Sequence, residues 1–117
     1  MIDWAQIKQL EEDVGAEDLG EVIALFLSEV DEAVDEMIAS PPADGPSMAS
    51  ALHFLKGSAY NLGFRAFGDY CAEGEKSAGE GDISGVSVEK VQALYGASKT
   101  KFYEEFADNS NAVLEMA

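Results

Sequence analysis

Ala51-Leu52-His53-Phe54-Leu55-Lys56-Gly57-Ser58-Ala59-Tyr60-Asn61-Leu62-Gly63 carries the periodicity that decides the fold. It holds the single histidine of 117 residues and one of only seven basic residues. At about 100° per residue, Met48, Leu52, Leu55, Ala59 and Leu62 fall on one side of a helix. His53 falls nearly opposite, with Ala49, Ser50, Gly57 and Tyr60 around it and Lys56 at its flank. The stripe predicts a core-facing helix from about Ser47 to Leu62, with Gly63 as its C-terminal glycine. It also turns His53 toward solvent.

The same periodicity extends in both directions. Toward the N-terminus, Ala16 to Ser40 reads as one long helix. Leu19, Val22, Ile23, Phe26, Val30, Ala33, Met37 and Ile38 form its apolar stripe, and Pro41-Pro42 ends it. Opposite the stripe, Glu29, Asp31, Glu32, Asp35 and Glu36 read as a solvated face, not a metal site. Ala43 to Ser47 reads as the connecting loop. A short helix over about residues 4–13 precedes, capped by Asp3 and stopped by Gly15. Trp4 is expected to anchor it by packing. Ile7 and Leu27 are either a partly exposed docking patch or the contact between the first two helices.

Toward the C-terminus, a helix from Phe64 or Arg65 to about Ala78 carries Phe67, Tyr70, Cys71 and Ala78. Gly68 and Gly74 weaken it by about 1 kcal/mol each relative to alanine. After the loop Gly79 to Gly85, Ser87 is placed to cap a fifth helix. Its stripe is Val88, Val91, Leu94, Tyr95, Ser98, Phe102 and Phe106. Asp108 to Ala117 reads as a fraying end or a further turn or two. No strand alternation and no repeat occurs. The pattern predicts an all-α domain over 1–117, an antiparallel up-and-down four-helix bundle with an additional short N-terminal helix.

Composition narrows the function. A formal net charge of −16 repels nucleic acid and anionic membranes, and suits a partner with a basic or apolar surface. Hydrophobic residues at 47% exclude disorder. One cysteine and one histidine cannot assemble a Cys/His metal site, and Cys71 reads as a small buried residue. The N-terminus lacks a signal-peptide pattern and no run is long enough to span a membrane, so the cytoplasm is the expected compartment.

The neighbours of His53 suit phosphoryl transfer. A neutral imidazole nitrogen is a nucleophile at pH 7. Lys56, one turn on, places a positive charge within reach of a phosphoryl group. Gly57 stands where a side chain would crowd the ring, which gives a purpose to a mid-helix glycine that costs about 1 kcal/mol. An exposed nucleophile, charge compensation and room for in-line approach are what the reaction needs.

His53-Phe54-Leu55-Lys56-Gly57-Ser58-Ala59, followed by Leu62-Gly63, resembles the signature of histidine-containing phosphotransfer (HPt) domains. Leu25-Phe26-Leu27 through Ile38 resembles the long helix before it. Phe67, Cys71 and Glu75 resemble the apolar residue, cysteine and glutamate of the helix after it, and Gly81-Asp82 the loop beyond. The likeness covers most of residues 3–106. Phe67 in place of leucine and Gly74 in place of a larger apolar residue depart from the pattern.

The resemblance implies a four-helix bundle that relays phosphoryl groups between response-regulator receiver domains, within pathways fed by a hybrid histidine kinase. By position, His53 would be phosphorylated, Lys56 would assist the phosphoryl group, Gly57 would leave room, and Ser58 would fill the small-residue position. Ser50, Tyr60 and Asn61 would belong to the receiver-docking surface. No cofactor or metal is implied for this chain, since Mg²⁺ would sit in the receiver. A monomer would suffice. With no Gly-rich nucleotide-binding segment and no residues left for an ATPase domain, the chain would not phosphorylate itself, and a chemotaxis-type kinase module is disfavoured. The alternative from another class is a non-phosphorylated acidic helical module that binds a receiver or kinase with His53 incidental.

Overall fold

The computed structural model describes residues 2–109. Five helices follow one another: α1 Trp4–Val14, α2 Leu19–Ala39, α3 Gly45–Asn61, α4 Arg65–Gly79 and α5 Val88–Asn109. No strand occurs among the described residues, only an isolated bridge between Ile2 and Phe64. The most extensive helix contact is between α3 and α4. α2 packs on α1, α3 and α5, while α4 packs on α5. The result is a helical bundle around one apolar core.

Local signals set the ends. Asp3 accepts from the Gln6 N–H and caps α1, and Gly15 ends it at φ +89°. α2 starts at Leu19 instead of Ala16, because Ala16 to Asp18 form a turn after Gly15. α3 starts at Gly45, two residues ahead of the expected Ser47. The Asp44 carboxylate accepts from the Ser47 N–H at 2.8 Å, and Pro46 sits in the first turn, where its missing N–H costs no hydrogen bond. Ser87 Oγ accepts from the Lys90 N–H at 3.2 Å at the start of α5. The helix continues through Asn109, and the expectation for the residues beyond lies outside the described part.

Leu19, Ile23, Leu27, Val30, Val34 and Met37 form the buried ridge of α2. The expected stripe was rotated from this. Val22, Phe26 and Ala33 are half-buried and Ile38 is exposed, because α2 serves three neighbours and its innermost line is the i, i+4, i+3 row. Ile7 and Leu27 are buried, so they are core residues and not a docking patch. Asp31 leaves the solvated acidic face: its carboxylate accepts from the Tyr95 hydroxyl at 2.6 Å and from Lys99 Nζ at 2.9 Å. Among the described residues no group of three or more His, Cys, Asp or Glu converges to hold a metal.

The aromatic core joins α1 to α5. Trp4 stacks on Phe102 with centroids 5.8 Å apart, and its indole N–H donates to Glu105 Oε2 at 3.1 Å. Phe64 and Phe67 pack on Tyr95. Such pairs add about 0.5–1.5 kcal/mol beyond area burial. Gly63, at φ +74°, makes the α3–α4 turn, and a Cβ there would stand 2.6 Å from the Asp3 carbonyl oxygen. The turn is pinned by the Asp3 N–H donating to the Gly63 carbonyl at 2.7 Å.

Gly68 and Gly74 are not weak points of α4. Both are buried, and both let α4 close on α3. A Cβ on Gly74 would stand 2.9 Å from Leu52 Cδ1 and 3.3 Å from Val86 Cγ2. That explains why a larger apolar residue is missing. Gly74→Val is therefore expected to lower stability by about 1–3 kcal/mol, read as a lower urea midpoint at unchanged slope. A midpoint equal to wild type would show that the close approach has slack.

Candidate functional site

The close approach at Gly74 sets the site. Leu52 and Gly74 meet in the core, and the next residue of each helix, His53 and Glu75, meets at the surface. His53 projects from mid-α3 with its side chain 69% exposed. Its Nδ1 lies 2.9 Å from Glu75 Oε2, and Lys56 Nζ lies 2.6 Å from Glu75 Oε1. One carboxylate thus bridges the histidine and the lysine of the neighbouring helix. The Lys56 ammonium, chiefly, holds the Glu75 carboxyl below its usual range; partial burial opposes this and the bond to His53 reinforces it.

Glu75 is therefore ionised at neutral pH and only accepts hydrogen bonds. Nδ1 must be the donor to it. In the neutral ring the lone pair is then on Nε2, the other ring nitrogen, on an imidazole open to solvent. Orientation by a partner on one ring nitrogen fixes the tautomer and leaves the lone pair on the other. In energy these contacts are minor, since an exposed ion pair such as Lys56–Glu75 is worth about 0–1 kcal/mol. What they provide is a fixed ring and a charge held beside it.

His53 and Lys56 meet on Glu75, and Gly57 lies one turn after His53 on the same helix. Gly57 acts differently from the expectation. No other element or side chain comes within 4 Å of where its Cβ would stand, because the imidazole is turned toward Glu75. The first carbon of a side chain would not crowd the ring, and the space beside Gly57 is open. Gly57→Ala is expected to fold at least as well as wild type, by up to about 1 kcal/mol. Gly57→Gln, reaching into that space, is expected to slow phosphoryl uptake from a phosphorylated receiver by roughly tenfold. Equal rates for Gln and wild type would remove the clearance role.

Ser50 and Asn61 are exposed on α3. Ser50 lines a groove of about 660 Å³ between α2 and α3 with Ala33, Met37, Pro42, Pro46 and Phe54. Phe54, next to His53, is 43% exposed and was not singled out by the sequence, although it stands off the apolar stripe. Tyr60 is 39% exposed and hydrogen-bonded through its hydroxyl to Asp69 Oδ1 at 2.7 Å. Cys71 is buried, and burial pushes its thiol up to about 12, so it is no nucleophile at neutral pH.

Glu75 is the functional residue that the sequence reading named without a role. Its signal was there in part: Phe67, Cys71 and Glu75 recur every fourth residue, so Glu75 continues the buried line of α4 toward the surface. Only the helix pairing shows that this line ends beside His53.

The model of the Hpt domain family matches residues 21–101, a span holding His53, Lys56, Gly57 and Glu75. The chain belongs to the Hpt domain family. Such domains have a phosphotransfer role in two-component signalling and work with receiver domains and histidine kinases. No curated protein and no solved structure gives a match to the chain. No helix among the described residues is long and apolar enough to cross a membrane.

Proposed function

We propose that His53 is the phospho-accepting residue of a phosphorelay intermediate, which takes its phosphoryl group from the aspartyl phosphate of one receiver and gives it to the aspartate of another. The observation that carries this is the bridging of His53 Nδ1 and Lys56 Nζ by Glu75, with Nε2 left exposed. The Nε2 lone pair attacks phosphorus. The bond from phosphorus to the aspartyl oxygen breaks, and its electrons return to the donor carboxylate. The ring gains positive charge while keeping its Nδ1 proton, and Glu75 faces that charge. Lys56 compensates the phosphoryl oxygens. Transfer onward reverses these steps on the second receiver.

On this reading α2 to α5 form an antiparallel up-and-down four-helix bundle, α1 is an addition to it, and residues 1–117 are one domain. Ser50, Tyr60 and Asn61 belong to the receiver-docking face. The partners are response-regulator receivers and a hybrid histidine kinase. The Mg²⁺ that assists transfer belongs to the receiver, and this chain needs no cofactor. It has no kinase or ATPase activity of its own, acts as a monomer and works in the cytoplasm.

Incubation with receivers of the source organism, each phosphorylated by labelled acetyl phosphate, tests the reading. Label is expected on this chain as an acid-labile, alkali-stable phosphohistidine. Receivers that bind tightly but leave no label would favour a pure interaction module.

A further inference from the structure

His53 and Tyr60 both stand exposed on the outer face of α3. The two residues are seven apart, so they share a face and stand about 10 Å apart along the axis. Gly57 lies between them, with open space where its Cβ would be. Glu75 borders the His53 end from α4, and Gly68 and Asp69 border the Tyr60 end.

The Tyr60 ring is fixed, although it is exposed. A Cβ on Gly68 would stand 2.6 Å from its Cε1, 2.8 Å from its Cδ1 and 3.1 Å from its Cζ, so the ring rests on bare backbone. At its tip the hydroxyl donates to Asp69 Oδ1 at 2.7 Å. The bond to Asp69 pushes the phenol up to about 12, so the clasp persists across neutral pH. An exposed side chain ordinarily changes rotamer within nanoseconds. This one is held from the side by a glycine and at the end by a carboxylate, and both come from the neighbouring helix.

We infer that Tyr60 is a specificity-determining residue: its immobilised ring stands as a wall on the helix face that carries His53, two turns on, and it selects among receivers by the shape of the loop that carries the aspartyl phosphate to His53. This rests on the phosphotransfer reading and adds to it the feature that tells partners apart. A wall that cannot move discriminates by exclusion, since a loop that overlaps it must clash or dock out of line. A loop that fits gains a rigid aromatic face without the entropy cost of ordering it. Two turns from Nε2, the ring acts on docking and not on the reacting atoms. Its effect therefore belongs in KM and in the ratio between receivers.

Tyr60→Ala removes the wall, Gly68→Ala displaces it while leaving it intact, and Tyr60→Phe releases its tip. Each full-length variant is offered the receivers of the source organism, phosphorylated with acetyl phosphate. Each rate is divided by the same variant's uptake from phosphoramidate, a small donor that needs no docking. Tyr60→Ala and Gly68→Ala are expected to change the ratio of kcat/KM between the best and second-best receiver by about fivefold or more, mainly through KM. Tyr60→Phe is expected to fall between them and wild type. A ratio unchanged within about twofold in both alanine variants overturns the inference. So does an equal loss toward every donor, which would make Tyr60 a structural residue. If wild type takes phosphate from neither phosphoramidate nor any receiver, the phosphotransfer reading itself fails, and the selectivity role fails with it.

Discussion

His53→Gln protein takes up no phosphoryl group from a phosphorylated receiver, while its fold and its urea midpoint stay near those of wild type. The first half follows from the chemistry: the amide of glutamine is no nucleophile toward an aspartyl phosphate, and this chain has no second histidine. The second half follows from exposure. The imidazole is largely in solvent and its hydrogen bond to Glu75 lies at the surface, so its loss falls within the roughly ±0.5 kcal/mol of surface substitutions. Total acid-labile label in a single-turnover assay separates the outcomes. Label on the glutamine variant equal to that on wild type would place the acceptor elsewhere.

Glu75→Ala is expected to slow phosphoryl uptake by roughly 10- to 100-fold. A hydrogen bond to a charged group is worth about 1.5–3 kcal/mol, and about 1.4 kcal/mol is a factor of ten in rate. The carboxylate holds the ring through Nδ1 and keeps Lys56 beside it, and on the proposed mechanism it also faces the positive charge that grows as Nε2 attacks. Two of these three roles need its charge. Glu75→Gln, which can still accept from Nδ1, is therefore expected to recover only part of the rate. Because Glu75 is partly exposed and lies outside the apolar core, both variants should fold, and circular dichroism checks that. Uptake by Glu75→Ala at the wild-type rate would leave the bridge without a function. Full recovery in the glutamine variant would mean that orientation alone matters.

The helices themselves were readable from apolar spacing and from Gly15, Pro41-Pro42 and Gly63, because these signals are local. The outward turn of His53 was readable for the same reason, since Met48, Leu52, Leu55, Ala59 and Leu62 fix the phase of one helix. What escaped depends on a neighbour distant in sequence. The buried line of α2 depends on which helices surround it. The role of Glu75 depends on a pairing across 22 residues. Gly68 and Gly74 looked like defects because a helix read in isolation has no Tyr60 or Leu52 against it. The Asp44 cap was missed although its signal is local: an acidic residue three before Ser47, followed by Gly45 and Pro46, is a helix start as readily as a loop.

The buried thiol gives the molecule a clock of its own. Cys71 is the sole thiol of the chain, enclosed on the face of α4 that also bears Glu75. While the bundle is closed, alkylating reagents meet neither an accessible sulfur nor a thiolate. Its labelling rate therefore counts the excursions in which α4 lifts away from the core, in the unmodified protein and without an introduced probe. The same reading, taken before and after phosphate arrives at His53, would report how firmly the loaded state holds its scaffold.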